Sequence, residues 1–544
     1  MKPSTTTYLR GSVRPLKDYF LRTKPLFRLL CLLLLTSTAA QAQTKLFKAV
    51  AEDMAQDFQL ILQDGNLVGY LVFTQLERAS ADSFNYRIEI MDENLNDIGT
   101  VKFRDQKLNL KAVSFDQDIL CLAYVKSNFV GREYKSEKEF RRSRGECKAT
   151  LFNQFLGLNG RILGGTTTAL DITPDFTSSP ASMWKVLGDF HFKHGIQLRN
   201  ISGKGFACFY GDDYKNNLLI FNTAGKLTWK RQINDNAEGF TMLTSGTEIS
   251  LLVKMREAMK EGGYQVLSFN AIDSTAYPKF LLKDKKGNSL KVLAFENDPV
   301  SGKPYLAGLV IDPLRGNHFG YGRAISHGPY SGVFSISLNG HTRKDIQASF
   351  SYWNDGSLPF IDKYGYLPQS HVYANIERAF KDYQGNTIFA ACGLTSKVRW
   401  GAITGAVLTV WTIYGAPAFL AGGTNKYATR DVLLFKQDAA GKLDLATTVR
   451  APRSSYSFAT YPVTSYDPNN YYTVKNSDTH TQYLIIDKAK DIDIYNVNQK
   501  KVARTIPHKE GNNLLTVFPA KEGYVMVYEF NKKEKTTRLS IEAL

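Results

Sequence analysis

Short apolar runs rich in Val, Ile, Tyr and Phe, each closed by polar turn residues, recur along nearly the whole chain. Eight stand out: "GYLVFTQLE" from Gly69, "DILCLAYVKS" from Asp118, "GFACFYGDD" from Gly205, "TEISLLVKM" from Thr247, "KPYLAGLVI" from Lys303, "NTIFAACGL" from Asn386, "NYYTVKNS" from Asn470 and "GYVMVYEF" from Gly523. They are too short for ordinary helices and carry the β-branched and aromatic residues of strands. Most are followed by a second run that enters a polar turn and returns, as in "LLIFNTAGKLTWKRQI" (218–233), "VFSISLNGHTRKDIQASF" (333–350) and "VLLFKQDAAGKLDLATTV" (432–449). The turns "NTAG", "LNG" and "QDAAG" supply Asn, Asp and Gly where positive φ is required, so each such unit predicts a hairpin.

The closest run starts lie near the roughly 40 to 50 residues of a four-stranded propeller blade. A small sheet cannot bury both its faces alone, whereas sheets stacked around an axis can. The pattern therefore predicts an all-β fold, a β-propeller of seven or eight four-stranded blades. Its final unit, "GYVMVYEFNKKEKTTRLSIEAL", is incomplete, and the early "TKLFKAV" is expected to close it, joining the two ends of residues 43–544 in one blade. The alternative is two β-sandwich domains divided near residues 285–300, since sandwiches also give many short strands. No WD or kelch signature is present. With these repeated hairpins the chain loosely resembles exported propeller-like proteins of uncharacterised bacterial families, a resemblance that brings no catalytic residues with it.

Residues 1–42 read differently. Seven basic residues precede the apolar core Leu29 to Leu35, and "AQA" (40–42) fits a signal-peptidase site, so a secretory signal peptide is expected there. The formal charge then falls from +17 to +11, because this segment holds seven basic residues and one acidic one. The expected address is exported: periplasmic, outer-membrane-associated or extracellular. Moderate positive charge suits an anionic surface or partner. Lys and Arg are spread along the chain, which argues against nucleic acid.

One stretch breaks the alternation. Trp400–Asn425, "WGAITGAVLTVWTIYGAPAFLAGGTN", contains no charged residue, although 22% of the chain is charged. It falls between two strand-like runs and is expected to form an insertion, 396–427, inside one blade. If those flanking strands are antiparallel neighbours, both ends lie on one side of one sheet, which a single membrane-crossing helix does not permit. Three fates are open: burial against the propeller, an apolar patch for a protein partner, or peripheral membrane contact. Trp400, Trp411, Tyr414 and Phe419 are the expected apolar contact residues.

Chemistry is harder to locate. The G-x-S-x-G, H-E-x-x-H and P-loop signatures are absent. No metal or cofactor is expected: the His pair of "HFKH" (His191, His194) looks like strand and turn, and "DIDIY" places Asp491 and Asp493 on one strand face without a cleft. Cys121, Cys147, Cys208 and Cys392 lie far apart and are expected to be free core thiols, with a Cys121–Cys147 bridge as the alternative. The better surface candidates are aromatic side chains on Gly- and Pro-rich loops, which offer contact area at low entropy cost. These are His318, Phe319, Tyr321, Arg323 and His327 in 312–332, and Tyr352, Trp353, Tyr364 and Tyr366 in 352–371. The expected function is a non-catalytic binding or assembly scaffold of the cell envelope with a protein or glycan partner. The alternative is a propeller hydrolase or lyase acting on polysaccharide or peptide.

Overall fold

The computed structural model describes residues 43–48, 56–80, 82–132, 134–172, 192, 194–213, 215–235, 237–256, 263–312, 330–356, 358–398, 425–451, 470–488 and 490–544. Within them the strands form eight antiparallel sheets, one after another along the chain. Blades 1 to 7 span residues 56–105, 108–170, 196–233, 237–282, 290–352, 366–449 and 470–507. Blade 8 combines 509–543 with the early strand Gln43–Lys48. That strand runs antiparallel to Thr536–Ala543, with Gln43 opposite Ile541 and Lys48 opposite Thr536. The incomplete last unit is thus completed by "QTKLFK", and the two ends of the ring are held in one sheet.

Each sheet packs on both neighbours. Apolar clusters join blades 1 and 2, 2 and 3, 3 and 4, 4 and 5, 5 and 6, 6 and 7, and 7 and 8. An eighth closes the circle, with Tyr70, Val72 and Met91 of blade 1 against Met526, Leu539 and Ile541 of blade 8. This is an eight-bladed β-propeller. Two separate sandwiches would leave that last seam unmade.

Position in the blade explains the sequence pattern. Second strands meet neighbours on both faces and read as continuous apolar runs; Gly205–Gly211 and Pro304–Ile311 are buried at every residue. Fourth strands form the outer rim and mix exposed with half-buried positions, as in Leu227–Ile233. Cys121 and Cys208 lie buried in the seam between blades 2 and 3, and all four described cysteines are free, so the alternative bridge to Cys147 is not formed. Burial pushes the Cys147 thiol up to about 11, which leaves it protonated at neutral pH.

The chain order within a blade, from axis to rim, sends connections alternately to the two ends of the ring. First-to-second and third-to-fourth connections lie on one end, which we call the turn face. They are short, the longest being 271–279. Side-chain caps fold them: Asp382 accepts the N–H groups of Gln384 (2.9 Å) and Asn386 (2.8 Å). At 222–226, Gly225 has φ +77° and sits where a Cβ would meet the Phe155 ring of blade 2 at 2.6 Å, so glycine is required there twice over.

The other end is the loop face. Connections 128–148, 171–195, 256–263, 312–329, 353–371, 399–424 and 450–469 all begin and end on it. The first carries one short helix, Glu137–Gly145, capped by Ser136 and anchored by Phe140 against Phe129 and Tyr134. In blade 6 the strands Thr387–Val398 and Asn425–Gln437 pair to their very ends, Val398 opposite Asn425. The chain therefore leaves and re-enters at one point of one sheet. Residues 399–424, with Trp400, Trp411, Tyr414 and Phe419, lie outside the described residues.

Candidate functional site

The innermost strands of successive blades lie side by side and frame the central passage. Two short strands sit still further inward, on the axial edge of their sheets. Tyr366–Leu367 pairs with Val372 and Tyr373 at the start of the innermost strand of blade 6. Lys509–Glu510 pairs with Asn513 and Leu514 at the start of that of blade 8. Both innermost strands begin on the loop face, so these two short strands lie at its axial edge.

The blade 6 rim of the mouth is aromatic. The Tyr366 and Tyr373 rings lie 4.9 Å apart, and the Tyr366 hydroxyl lies 3.2 Å from His371 Nδ1. Burial, with help from nearby Asp362 and Tyr366, holds the Tyr373 hydroxyl above its ordinary value, so it stays protonated. Tyr364 is 36% exposed, with Lys363 Nζ 5.1 Å from its ring centroid. Asp362 folds this turn by accepting the N–H groups of Tyr364 (2.8 Å) and Tyr366 (2.9 Å).

Of the nine loop residues expected to bind, four are described, and they divide. Tyr364 and Tyr366 lie on the turn beside the axial edge of blade 6, partly exposed. Tyr352 is half-buried; its hydroxyl donates to Asp284 Oδ2 at 3.0 Å, and Lys286 lies 4.7 Å from its ring centroid. Trp353 corrects the expectation: it is 4% exposed and packs with Leu358, Ile361 and Leu367 into the seam between blades 5 and 6. The loop folds back over that seam, and its large apolar residues fill it. His318, Phe319, Tyr321, Arg323 and His327 lie outside the described residues, as does His191, while His194 packs edge-on against Phe240. His371, Tyr373, Lys509 and Glu510 were not singled out from sequence. The signal available was the pair "YL" and "VY" around "PQSH", two short apolar steps flanking a turn.

Carboxylates near the passage mostly have structural work. Glu296 of blade 5 meets Arg378 of blade 6 at 2.7 Å. Asp298 meets Lys381 at 2.7 Å, with side chains 12% and 8% exposed. Burial alone would raise the Asp298 pKa, but hydrogen bonds from Lys381, Ser301 and Val300 outweigh it and hold the carboxyl below its ordinary value. Asp57 of blade 1 goes the other way, raised by burial and only partly offset by Gln59 and Lys111. Asp493, one of the two acids of "DIDIY", is buried between Lys488 Nζ (2.6 Å) and Thr505 Oγ1 (2.7 Å), which removes that pair as a general acid and base. Among the described residues no three His, Cys, Asp or Glu side chains come together as metal ligands would, and no helix is long and apolar enough to cross a membrane.

The profile of the Family of unknown function (DUF6770) matches residues 23–135. No curated protein matches the chain. Among solved structures it is similar to the WD40 domain of SCAP from fission yeast, at 9% identity and TM-score 0.38, covering 92% of this chain and 98% of that one. It is also similar to the β-propeller domain of the trilobed protease from Pyrococcus furiosus, at 7% identity and TM-score 0.31, covering 84% and 99%. A third is prolyl oligopeptidase B from Galerina marginata, at 10% identity and TM-score 0.35, covering 88% of this chain and 55% of that enzyme.

Proposed function

We propose that the protein is an exported, non-catalytic binding scaffold of the cell envelope that recognises a protein or glycan partner on its loop face. The observation that carries this reading is the one-sidedness of the ring. Every connection longer than nine residues begins and ends on one end, while the other carries only shorter connections, including side-chain-capped turns such as 382–386. Loops on a rigid scaffold are where recognition is built. Aromatic side chains at the axial mouth, Tyr364 and Tyr366 foremost, offer amphipathic contact area of the kind interfaces use. Two of the acids between blades 5 and 6, Glu296 and Asp298, are committed to Arg378 and Lys381, which favours binding over hydrolysis at that seam.

The test compares the two faces. Residues 43–544 carrying Tyr364→Ala with Tyr366→Ala are set beside Val300→Ser, a change at a 64% exposed residue in a turn-face connection. Both are screened on a glycan array and by crosslinking to envelope fractions. The reading expects binding by wild type and Val300→Ser, with a loss of about tenfold or more in the tyrosine variant. Loss in Val300→Ser with retention in the tyrosine variant would place the working surface on the wrong end and overturn it.

A further inference from the structure

Cations that this protein takes out of water are given partners. Lys381 has Asp298 and Ser337, and Lys488 has Asp493. Lys126 has Asp105 at 3.2 Å and the Phe152 ring at 4.3 Å. Arg231 donates to the Ser274 carbonyl and lies 5.3 Å from the Phe269 centroid. On the inner strand of blade 2, Lys111 is answered by the charge of Asp57.

Arg199 departs from this rule. It stands in the middle of Ile196–Ile201, the innermost strand of blade 3, between buried Leu198 and buried Asn200. Its guanidinium makes one hydrogen bond, from Nη1 to the carbonyl of adjacent Leu198 at 3.1 Å. Among the described residues no carboxylate and no aromatic ring meets it. A guanidinium carries five N–H donors, so most of this fork is left to solvent.

Two further observations describe its surroundings. By surface area Arg199 is exposed, yet burial holds its pKa below the usual arginine value. Both are true of a side chain on the wall of a narrow, water-holding passage, which touches water but is ringed by protein. Gln197, two residues back and so on the same strand face, bridges to the inner strand of blade 4. It donates to the Phe240 carbonyl (2.8 Å) and accepts from the Met242 N–H (2.7 Å). On the other face Asn200 exchanges hydrogen bonds of 2.9 Å with Asp64 of blade 1. Residues on either side of Arg199 are thus tied to blades 4 and 1, and its position is set without using its charge.

We propose that Arg199 anchors an oxyanion site in the central passage, taking the carboxylate or phosphate group of a small ligand. The site lies inside the ring and is independent of the partner surface at the loop face. A planar fork with unused donors, in surroundings that weaken competition from water, suits bidentate capture of such a group. The ligand supplies the counter-charge that the fold withholds.

The experiment uses residues 43–544 as wild type, Arg199→Met and Arg199→Lys. Titration calorimetry and thermal unfolding are run with three probes: inorganic phosphate, an acetylated tetrapeptide with a free C-terminal carboxylate, and its C-terminal amide. Saturable binding of phosphate or of the peptide acid by wild type is expected, with no response to the amide. Which of the two binds tells a phosphate ligand from a carboxylate one. Arg199→Met should weaken that binding about tenfold or more, and Arg199→Lys should weaken it less. Without ligand, Arg199→Met should unfold at or above the wild-type temperature, because an unpaired, desolvated charge has been removed. The proposal is overturned by absence of saturable binding to either oxyanion probe, by undiminished binding in Arg199→Met, or by a ligand-free Arg199→Met that is clearly less stable than wild type.

Discussion

Two stretches of the same inner ring treat charge in opposite ways. Between blades 5 and 6, Glu296 faces Arg378 and Asp298 faces Lys381, each at 2.7 Å, with Tyr305 lying beside them. On blade 3 the inner strand brings Arg199 to the axis with only a neighbouring carbonyl for company. The first arrangement stitches two blades together and leaves nothing over for a ligand. The second contributes little to the ring and leaves a directional donor set open. The contrast separates charge used to hold a propeller together from charge held ready for something else.

The sharpest way to break the comparison is Lys381→Met. It strands the buried Asp298 carboxylate, and losing one member of a buried pair costs about 3 to 5 kcal/mol, read as a lower urea midpoint. Asp298→Asn should cost less, because the amide oxygen can still accept from Lys381 Nζ or from the N–H groups of Val300 and Ser301, and it adds a test by pH. The Asp298 carboxyl is held below its ordinary value of 3.8 in the folded protein. Its contribution is therefore full above that value and lost as pH falls through the folded pKa. The stability gap between wild type and Asp298→Asn should close below about pH 4; a gap unchanged from pH 7 down to pH 3 would count against the assignment.

Smaller effects sharpen it. Glu296 and Arg378 are each about a third exposed, so Glu296→Gln should cost no more than about 1 kcal/mol. A loss as large as that of Lys381→Met would show the two pairs acting as one network. Smallest of all is Tyr364→Ala at the mouth, expected within about 0.5 kcal/mol of wild type in unfolding while changing partner capture. A large loss of stability would move Tyr364 from the binding surface into the core account.

Much of the frame was legible in the sequence because periodicity and turn chemistry are local. The hairpins at 222–226 and 438–442 announce themselves through Asn, Asp and Gly, and the orphaned last unit pointed to "TKLFKAV" as its missing strand. The blade count was open between seven and eight because the loop-face connections stretch the repeat unevenly. Trp353 was misjudged for a related reason. An aromatic residue in a Gly- and Pro-rich loop reads as surface until the loop is seen lying across a seam, where Leu358, Ile361 and Leu367 accompany it. Arg199 could not be read at all. "IQLRNI" is an ordinary strand with three polar positions, and which of them lacks a partner appears only when eight inner strands are brought around one axis.

The most direct measurement is urea unfolding of wild type, Lys381→Met and Arg199→Met side by side, with and without saturating inorganic phosphate or the peptide acid, whichever binds. The account predicts that Lys381→Met is strongly destabilised and Arg199→Met is not, and that the oxyanion raises the midpoint of the first two proteins but not of Arg199→Met. An Arg199→Met protein as damaged as Lys381→Met, or an equal oxyanion shift in all three, would contradict it.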